Sequence, residues 1–196
     1  MSDGEEDGVD AGASKRPRVL VVCTGNLCRS PLVAAMLERA LEDREIEADV
    51  ASAGTGAPEG AQPDRKLLRV ADEFDLELFE HRSRQVTSED VIESDLVLVM
   101  TGEHAEEVVD LVESAADRVV PLRVAVWRAA SLRGRQLPFA EWVRLLTVQD
   151  PDRRASPNDR GNDVEDPIGG PLRGYRHMAA EVDHLVEQLA TAWSGA

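Results

Sequence analysis

Residues 21–31 read Val21-Val22-Cys23-Thr24-Gly25-Asn26-Leu27-Cys28-Arg29-Ser30-Pro31. The apolar run at 18–22 has the character of a buried strand, and residues 32–41 carry the apolar spacing of an amphipathic helix. A loop between strand and helix turns successive backbone N–H groups inward. The helix N-terminus adds its partial positive charge, so the segment suits a tetrahedral anion. A thiol at the first loop position lies in the same field, which favours thiolate over thiol. Arg29 offers a planar fork for two phosphate oxygens at once. This arrangement suits nucleophilic attack by Cys23 on a phosphate ester, with Thr24, Gly25, Asn26, Leu27, Cys28, Arg29 and Ser30 as the cradle.

Cysteine and arginine six apart are common by chance, and the remaining loop positions sharpen the pattern. Gly25 permits positive φ and close backbone approach. Asn26 tolerates a left-handed conformation, and its amide can brace the loop. The Ser30 hydroxyl can donate to the Cys23 sulfur, steadying it as nucleophile and as leaving group. Pro31 suits the first helical position, where no N–H is required.

The segment from Cys23 to Pro31 resembles the phosphate-binding loop of the low-molecular-weight protein tyrosine phosphatases and, as in that family, sits near the N-terminus. The resemblance continues at Ser52-Ala53-Gly54-Thr55, at His81-Arg82-Ser83-Arg84-Gln85, at residues 95–100 and at Asp166-Pro167, so it spans about 18–193. It implies an α/β three-layer sandwich with a four-stranded parallel sheet flanked by helices. It also implies a phosphocysteine intermediate on Cys23, and neither metal nor other cofactor.

Cleaving a phosphate ester needs a proton donor, and hydrolysing the phosphocysteine needs a base; one carboxyl group can serve both steps. The family places an Asp-Pro general acid before the last helix, which here is Asp166, with Asp163 and Glu165 as neighbouring carboxylates. Cys28 reads either as a small apolar filler or as a redox guard that pairs with Cys23 under oxidation; the resemblance supports the guard. His81 is expected to brace the loop from behind. His104, His177 and His184 read as surface helix positions. Two cysteines within one loop and four scattered histidines offer no metal-ligand spacing.

One departure and one agreement bear on substrate. Many tyrosine-directed members carry aromatic residues after the Asp-Pro, where this chain has Ile168 and Gly169. Relatives directed to phosphoarginine tend to carry threonine at the position of Leu27, whereas tyrosine-directed ones tend to carry a branched aliphatic residue. Leu27 lies nearer the phosphate and favours tyrosine phosphate.

Composition narrows the remaining classes. The chain has 196 residues, net charge −16 and pI near 4.6. Such acidity argues against nucleic acid and anionic membranes, so a phosphate must be captured by the local field of the loop. Two cysteines do not make a secreted disulfide framework, and a reduced, cytoplasmic compartment suits a working thiolate. No apolar run approaches membrane-spanning length. The sequence carries no signal for oligomeric state.

Residues 1–17 are rich in Asp, Glu, Gly and Ser and are expected to form a disordered acidic tail before a single domain at 18–196. Strands are expected at 18–22, 49–52, 95–100 and 118–121. Helices are expected from 32 to about 44 and at 65–72, 103–114 and 172–193. An insertion occupies about 123–165, with a helix at 138–148 and a mobile stretch at 150–163. The reading that follows is a phosphomonoester hydrolase acting on a phosphorylated protein or small phosphate ester, foremost a protein tyrosine phosphatase. Its competitors are a protein arginine phosphatase, an arsenate reductase using external thiols, and a weakly catalytic phospho-ligand-binding module.

Overall fold

A computed structural model of the chain describes residues 16–147 and 160–195. The expected acidic tail, apart from its last two residues, and most of the 150–163 stretch lie outside the described residues. Four strands, β1 (Arg18–Cys23), β2 (Asp49–Gly54), β3 (Leu96–Val99) and β4 (Val119–Pro121), form one sheet in the order β2-β1-β3-β4. All pairings are parallel, with Val21 opposite Ser52 on one side and Leu98 on the other. Helices cover both faces, which is why β1 and β3 read as unbroken apolar runs.

The strand side chains alternate between two cores. Val19, Val21, Leu96, Leu98 and Met100 face the layer of α1 (Arg29–Glu42), α2 (Arg65–Asp72), α5 (Leu122–Ala129), α6 (Phe139–Thr147) and α7 (Leu172–Trp193). Leu20, Val22, Val97 and Val99 face α3 (Ser88–Glu93) and α4 (Gly102–Leu111), represented by Val91 and Val108. The result is the three-layer α/β architecture expected from the sequence.

From β1 the chain passes to β2 on one side, and β3 then joins on the other. Strand order therefore reverses between β1 and β3, and the loops at their C-terminal ends flank a crevice, the usual ligand position in such sheets. Those two loops are residues 24–28 and the Met100-Thr101 junction.

Several boundaries differ from the sequence reading. Helix α1 begins at Arg29, so Pro31 lies third in its first turn, still where a missing N–H costs nothing. Helix α4 stops at Leu111, because Val112 is extended (φ −144°, ψ 91°), and a 3₁₀ turn follows at Glu113–Ala115. Two helices were not expected. The short α3 is fixed by a capping box between Thr87 and Asp90. Helix α5 starts directly after β4 and packs Val124, Ala125 and Val126 into the core. The helix expected at 138–148 is α6. Phe139 and Trp142 of α6 stack with Trp193 at the end of α7, with centroids 4.4 and 5.4 Å from Trp193.

Trp142 is the buried member of this stack. Trp142→Ala is expected to cost about 3–5 kcal/mol, measured as a lower urea midpoint with an unchanged slope. A loss under about 1 kcal/mol would show that α6 is peripheral to the fold.

Candidate active site

The loop after β1 closes around Asn26. This residue is fully buried, with a left-handed backbone (φ 51°) that reverses the chain. Of the two positions the sequence allows for it, Gly25 and Asn26, the left-handed turn falls on Asn26; an added Cβ at Gly25 would meet only the Leu27 side chain at 3.7 Å. The Asn26 amide nitrogen donates to Ser30 Oγ and Ser52 Oγ, each at 2.9 Å, and its Oδ1 accepts the Arg84 N–H at 3.0 Å. His81 Nε2 lies 2.9 Å from the Asn26 carbonyl oxygen, behind the loop. Every polar atom of this side chain is therefore engaged.

Glycine is required one strand over. The carbonyls of Cys23 and Thr24 accept the N–H groups of Thr55 and Gly56, each at 2.9 Å. This contact presses β2 so close that a Cβ on Gly54 would stand 2.3 Å from the Thr24 oxygen and 2.9 Å from the Asn26 nitrogen. Both obstacles are backbone, so neither can swing aside.

Inside the loop, Cys23 Sγ lies 3.1 Å from Ser30 Oγ. Ser30 Oγ already accepts from Asn26 and also lies 3.2 Å from the Ala53 oxygen. Its single proton can go either to the Ala53 carbonyl or to the Cys23 sulfur, and a sulfur anion would draw it. Cys28 is the N-cap of α1 and makes no side-chain cap hydrogen bond. The N–H groups of residues 25–28 have no carbonyl partner among the described residues. Cys28 itself is buried, and its thiol is pushed up, first by burial and then by the negative charges of Asp166 and Cys23. Leu27 is half-buried, with its carbonyl accepting from the Asp64 N–H at 3.0 Å.

Arg29 is 4% exposed and extends along the loop. Its Nη2 donates to Asp166 Oδ2 at 2.6 Å and to Thr24 Oγ1 at 3.3 Å, and its Nη1 to the Val164 oxygen at 3.4 Å. Its Nε is buried and meets no acceptor. A buried cationic N–H without an acceptor is costly, and an oxyanion held by the loop would relieve it.

Asp166 arrives on a segment that extends the end of β3. The Val164 N–H bonds the Met100 oxygen at 2.8 Å, and Asp163 Oδ1 accepts the Gly102 N–H at the start of α4 at 3.0 Å. Asp166 Oδ1 accepts the Ile168 N–H at 3.0 Å, closing a turn completed by Gly169 (φ 81°). Lys66 of α2 donates to the Gly170 oxygen at 2.7 Å. Cys23, Arg29, Ser30 and Asp166 thus meet at one place. Asp163 turns to the start of α4, while Glu165 points outward and has no partner among the described residues.

His104 corrects the sequence reading. It is 4% exposed, because α4 starts against the loop after β1. Its Nε2 lies 2.9 Å from Thr24 Oγ1 and its Nδ1 2.7 Å from Thr101 Oγ1. Burial, and next the Arg29 charge, hold its pKa down to about 4, against the opposing pull of Glu107, Asp163 and Asp166. His177 and His184 are exposed on α7. Thr101, His104, Gly54, Ser52 and Lys66 went unrecognised as site residues. For Thr101 and His104 a signal was present: Thr101-Gly102-Glu103-His104 follows a strand of a parallel sheet, where the loops that build sites lie. Among the described residues no group of three or more His, Cys, Asp or Glu side chains is placed to hold a metal ion.

These features define a cysteine-based oxyanion site at the switch point of a parallel sheet. Residues 18–133 match the family model described as low molecular weight phosphotyrosine protein phosphatase, and the chain belongs to that family. It is 35% identical over 137 residues to the probable low molecular weight protein-tyrosine-phosphatase AmsI of Erwinia amylovora, covering 70% of this chain and 81% of that one. It is 30% identical over 174 residues to a protein-arginine-phosphatase of Geobacillus stearothermophilus, covering 88% of this chain and 93% of that one. Among solved structures it superposes on the low molecular weight protein tyrosine phosphatase of T. tengcongensis with TM-score 0.67 and 28% identity, covering 88% of this chain and 97% of that one. The YwlE arginine phosphatase of Geobacillus stearothermophilus gives TM-score 0.65 at 30% identity, covering 89% and 90%.

Gly54→Ala is expected to abolish oxyanion binding, read by titration with inorganic phosphate, because the loop must shift to admit the methyl group. Retained phosphate affinity would show that β2 can yield.

The depressed pKa of His104 also sets a pH dependence. The unfolded chain takes up this proton near 6.5 and the folded one only near 4. Between these values the unfolded state holds more protons, so stability falls as pH drops through the window. In urea unfolding, His104→Gln should show a shallower fall than wild type over the same range. Parallel curves would show that His104 titrates normally.

Proposed function

We propose that this chain is a cysteine-dependent phosphomonoester hydrolase acting on phosphorylated proteins, with phosphotyrosine as the preferred group. The observation that carries the reading is the buried Arg29 with its acceptor-less Nε beside the Cys23–Ser30 pair. Cys23 Sγ attacks phosphorus, the P–O bond to the leaving group breaks, and Asp166 supplies the proton to that oxygen. Water then attacks the phosphocysteine, Asp166 takes its proton, and Cys23 leaves as a thiolate steadied by Ser30. Arg29 and the loop N–H groups hold the equatorial oxygens throughout, the contribution expected to carry most of the rate.

The arginine-directed reading has its own support. The protein-arginine-phosphatase relative matches over 88% of this chain. No aromatic ring follows Asp166-Pro167, where Ile168 is 47% exposed. Leu27 remains the residue that favours tyrosine phosphate.

The discriminating measurement is steady-state turnover of p-nitrophenyl phosphate, a phosphotyrosine peptide and phosphoarginine by wild type, Cys23→Ser and Asp166→Ala. Cys23→Ser should lose all turnover yet keep phosphate binding. Asp166→Ala should lose about 10²–10⁴ in turnover. Preference for phosphoarginine would reverse the substrate assignment, and an active Cys23→Ser would remove the mechanism.

A redox role for Cys28 belongs to the same proposal, as does a reducing, cytoplasmic setting. Among the described residues no helix is long and apolar enough to cross a membrane. Peroxide converts the Cys23 thiolate to a sulfenic acid; the Cys28 thiol then attacks that sulfur, releasing water and forming a disulfide. Cys28→Ala should therefore be inactivated irreversibly by peroxide, while thiol restores wild type. Equal recovery of both proteins would leave Cys28 as a packing residue.

A further inference from the structure

Thr101, His104, Thr24, Arg29 and Asp166 form a continuous chain of polar contacts from the β3–α4 junction, across the loop, to the acid. His104 links Thr101 to Thr24 in it and belongs to none of the roles assigned above. Both ring nitrogens are engaged, yet a neutral imidazole has one N–H and one lone pair, so its two neighbours must be served differently. Thr24 Oγ1 accepts from Arg29, which can only donate. If the ring nitrogen facing Thr24 were bare, the hydroxyl would give up its proton to it and turn lone pairs toward an anion. If that nitrogen carries the proton, the hydroxyl accepts twice and keeps its own proton to donate.

We propose that His104 is a positioning residue of the phosphatase: its neutral ring, protonated on Nε2, donates to Thr24 Oγ1, fixes it as an acceptor for Arg29, and leaves the Thr24 O–H proton for the substrate oxyanion. The inference rests on the phosphatase reading. The Thr101 hydroxyl sets the tautomer by donating to Nδ1 while accepting the His104 backbone N–H at 3.2 Å, as the N-cap of α4. Thr24 lies on the exposed rim of the loop, within reach of a ligand. The charged groups facing the ring are Arg29 of α1, Glu107 of α4, and Asp163 and Asp166 of the acid segment. A second positive charge beside Arg29 would loosen the guanidinium from Thr24, so the neutral ring is the working form.

The test compares wild type with His104→Gln, His104→Asn, Thr24→Val and the double variant His104→Asn/Thr24→Val. It reads p-nitrophenyl phosphate kinetics, affinity for inorganic phosphate, and long-range ¹H–¹⁵N spectra of histidine-labelled wild type. Glutamine can place an N–H where Nε2 stands, whereas asparagine reaches only the position of Nδ1. His104→Asn should lose about tenfold in kcat/KM and in phosphate affinity, and His104→Gln no more than about threefold. In the Thr24→Val background the asparagine should cost no more than about twofold. The spectra should show a neutral ring protonated on Nε2 down to about pH 5.

Equal activity of both His104 variants with wild type would overturn the proposal. So would an undiminished asparagine effect in the Thr24→Val background, a proton on Nδ1, or titration near the ordinary histidine value. If wild type turns over no phosphate ester, the phosphatase reading fails by itself. Phosphate affinity and the spectra then still decide His104, and affinity unchanged across the variants would overturn it.

Discussion

One buried amide holds the loop in shape. Asn26 turns the backbone through a left-handed conformation, and its side chain ties together Ser30, Ser52 and the Arg84 N–H. A left-handed asparagine costs far less than a branched residue there, because its short polar side chain can bond locally. The reversal leaves the N–H groups of residues 25–28 without a carbonyl partner among the described residues and brings Ser30 back to Cys23. Gly54 makes the same demand from the neighbouring strand, by letting β2 touch the loop backbone directly. Cys23, the proposed nucleophile, is thus set by the sheet, with a hydrogen-bonded plug behind it.

Asp166, the proposed general acid, depends on a different support. Val164 extends the hydrogen bonding beyond β3, Asp163 binds the start of α4, and Lys66 holds the Gly170 carbonyl. The β3–α4 junction and the distant α2 together fix the few residues that carry Asp166. The Arg29–Asp166 ion pair joins the two supports, with the arginine buried and the carboxylate at the rim. A net charge of −16 does not conflict with the proposed anion site, because the loop's dipoles and one desolvated guanidinium act at close range, where distant carboxylates are screened by water.

Much of this was legible in the residues. Unbroken apolar runs at β1 and β3 identify a sheet covered on both faces, and the Cys23–Arg29 loop locates the site at the end of the first strand. What escaped was set by tertiary contact. His104 has the surroundings of a surface helix residue in sequence, and only the packing of α4 against the loop buries it. Asn26 was legible as a left-handed brace, but its three partners, Ser30, Ser52 and the Arg84 N–H, are set by the packing. Helix α5 follows β4 with no loop residue between them, and Pro121, which ends the strand and caps the helix, is the one mark of the change.

The lysines give the acid segment a chemical label. The chain has two, Lys15 and Lys66, and of these only Lys66 falls among the described residues. Its ammonium group is exposed and donates to the Gly170 carbonyl, four residues beyond Asp166. Reagents that acylate amines therefore meet, on the folded body, a single side-chain target that also anchors the turn carrying the acid. A fluorophore or cross-linker attached through amine chemistry reports on that turn, and its attachment cuts the turn loose from α2.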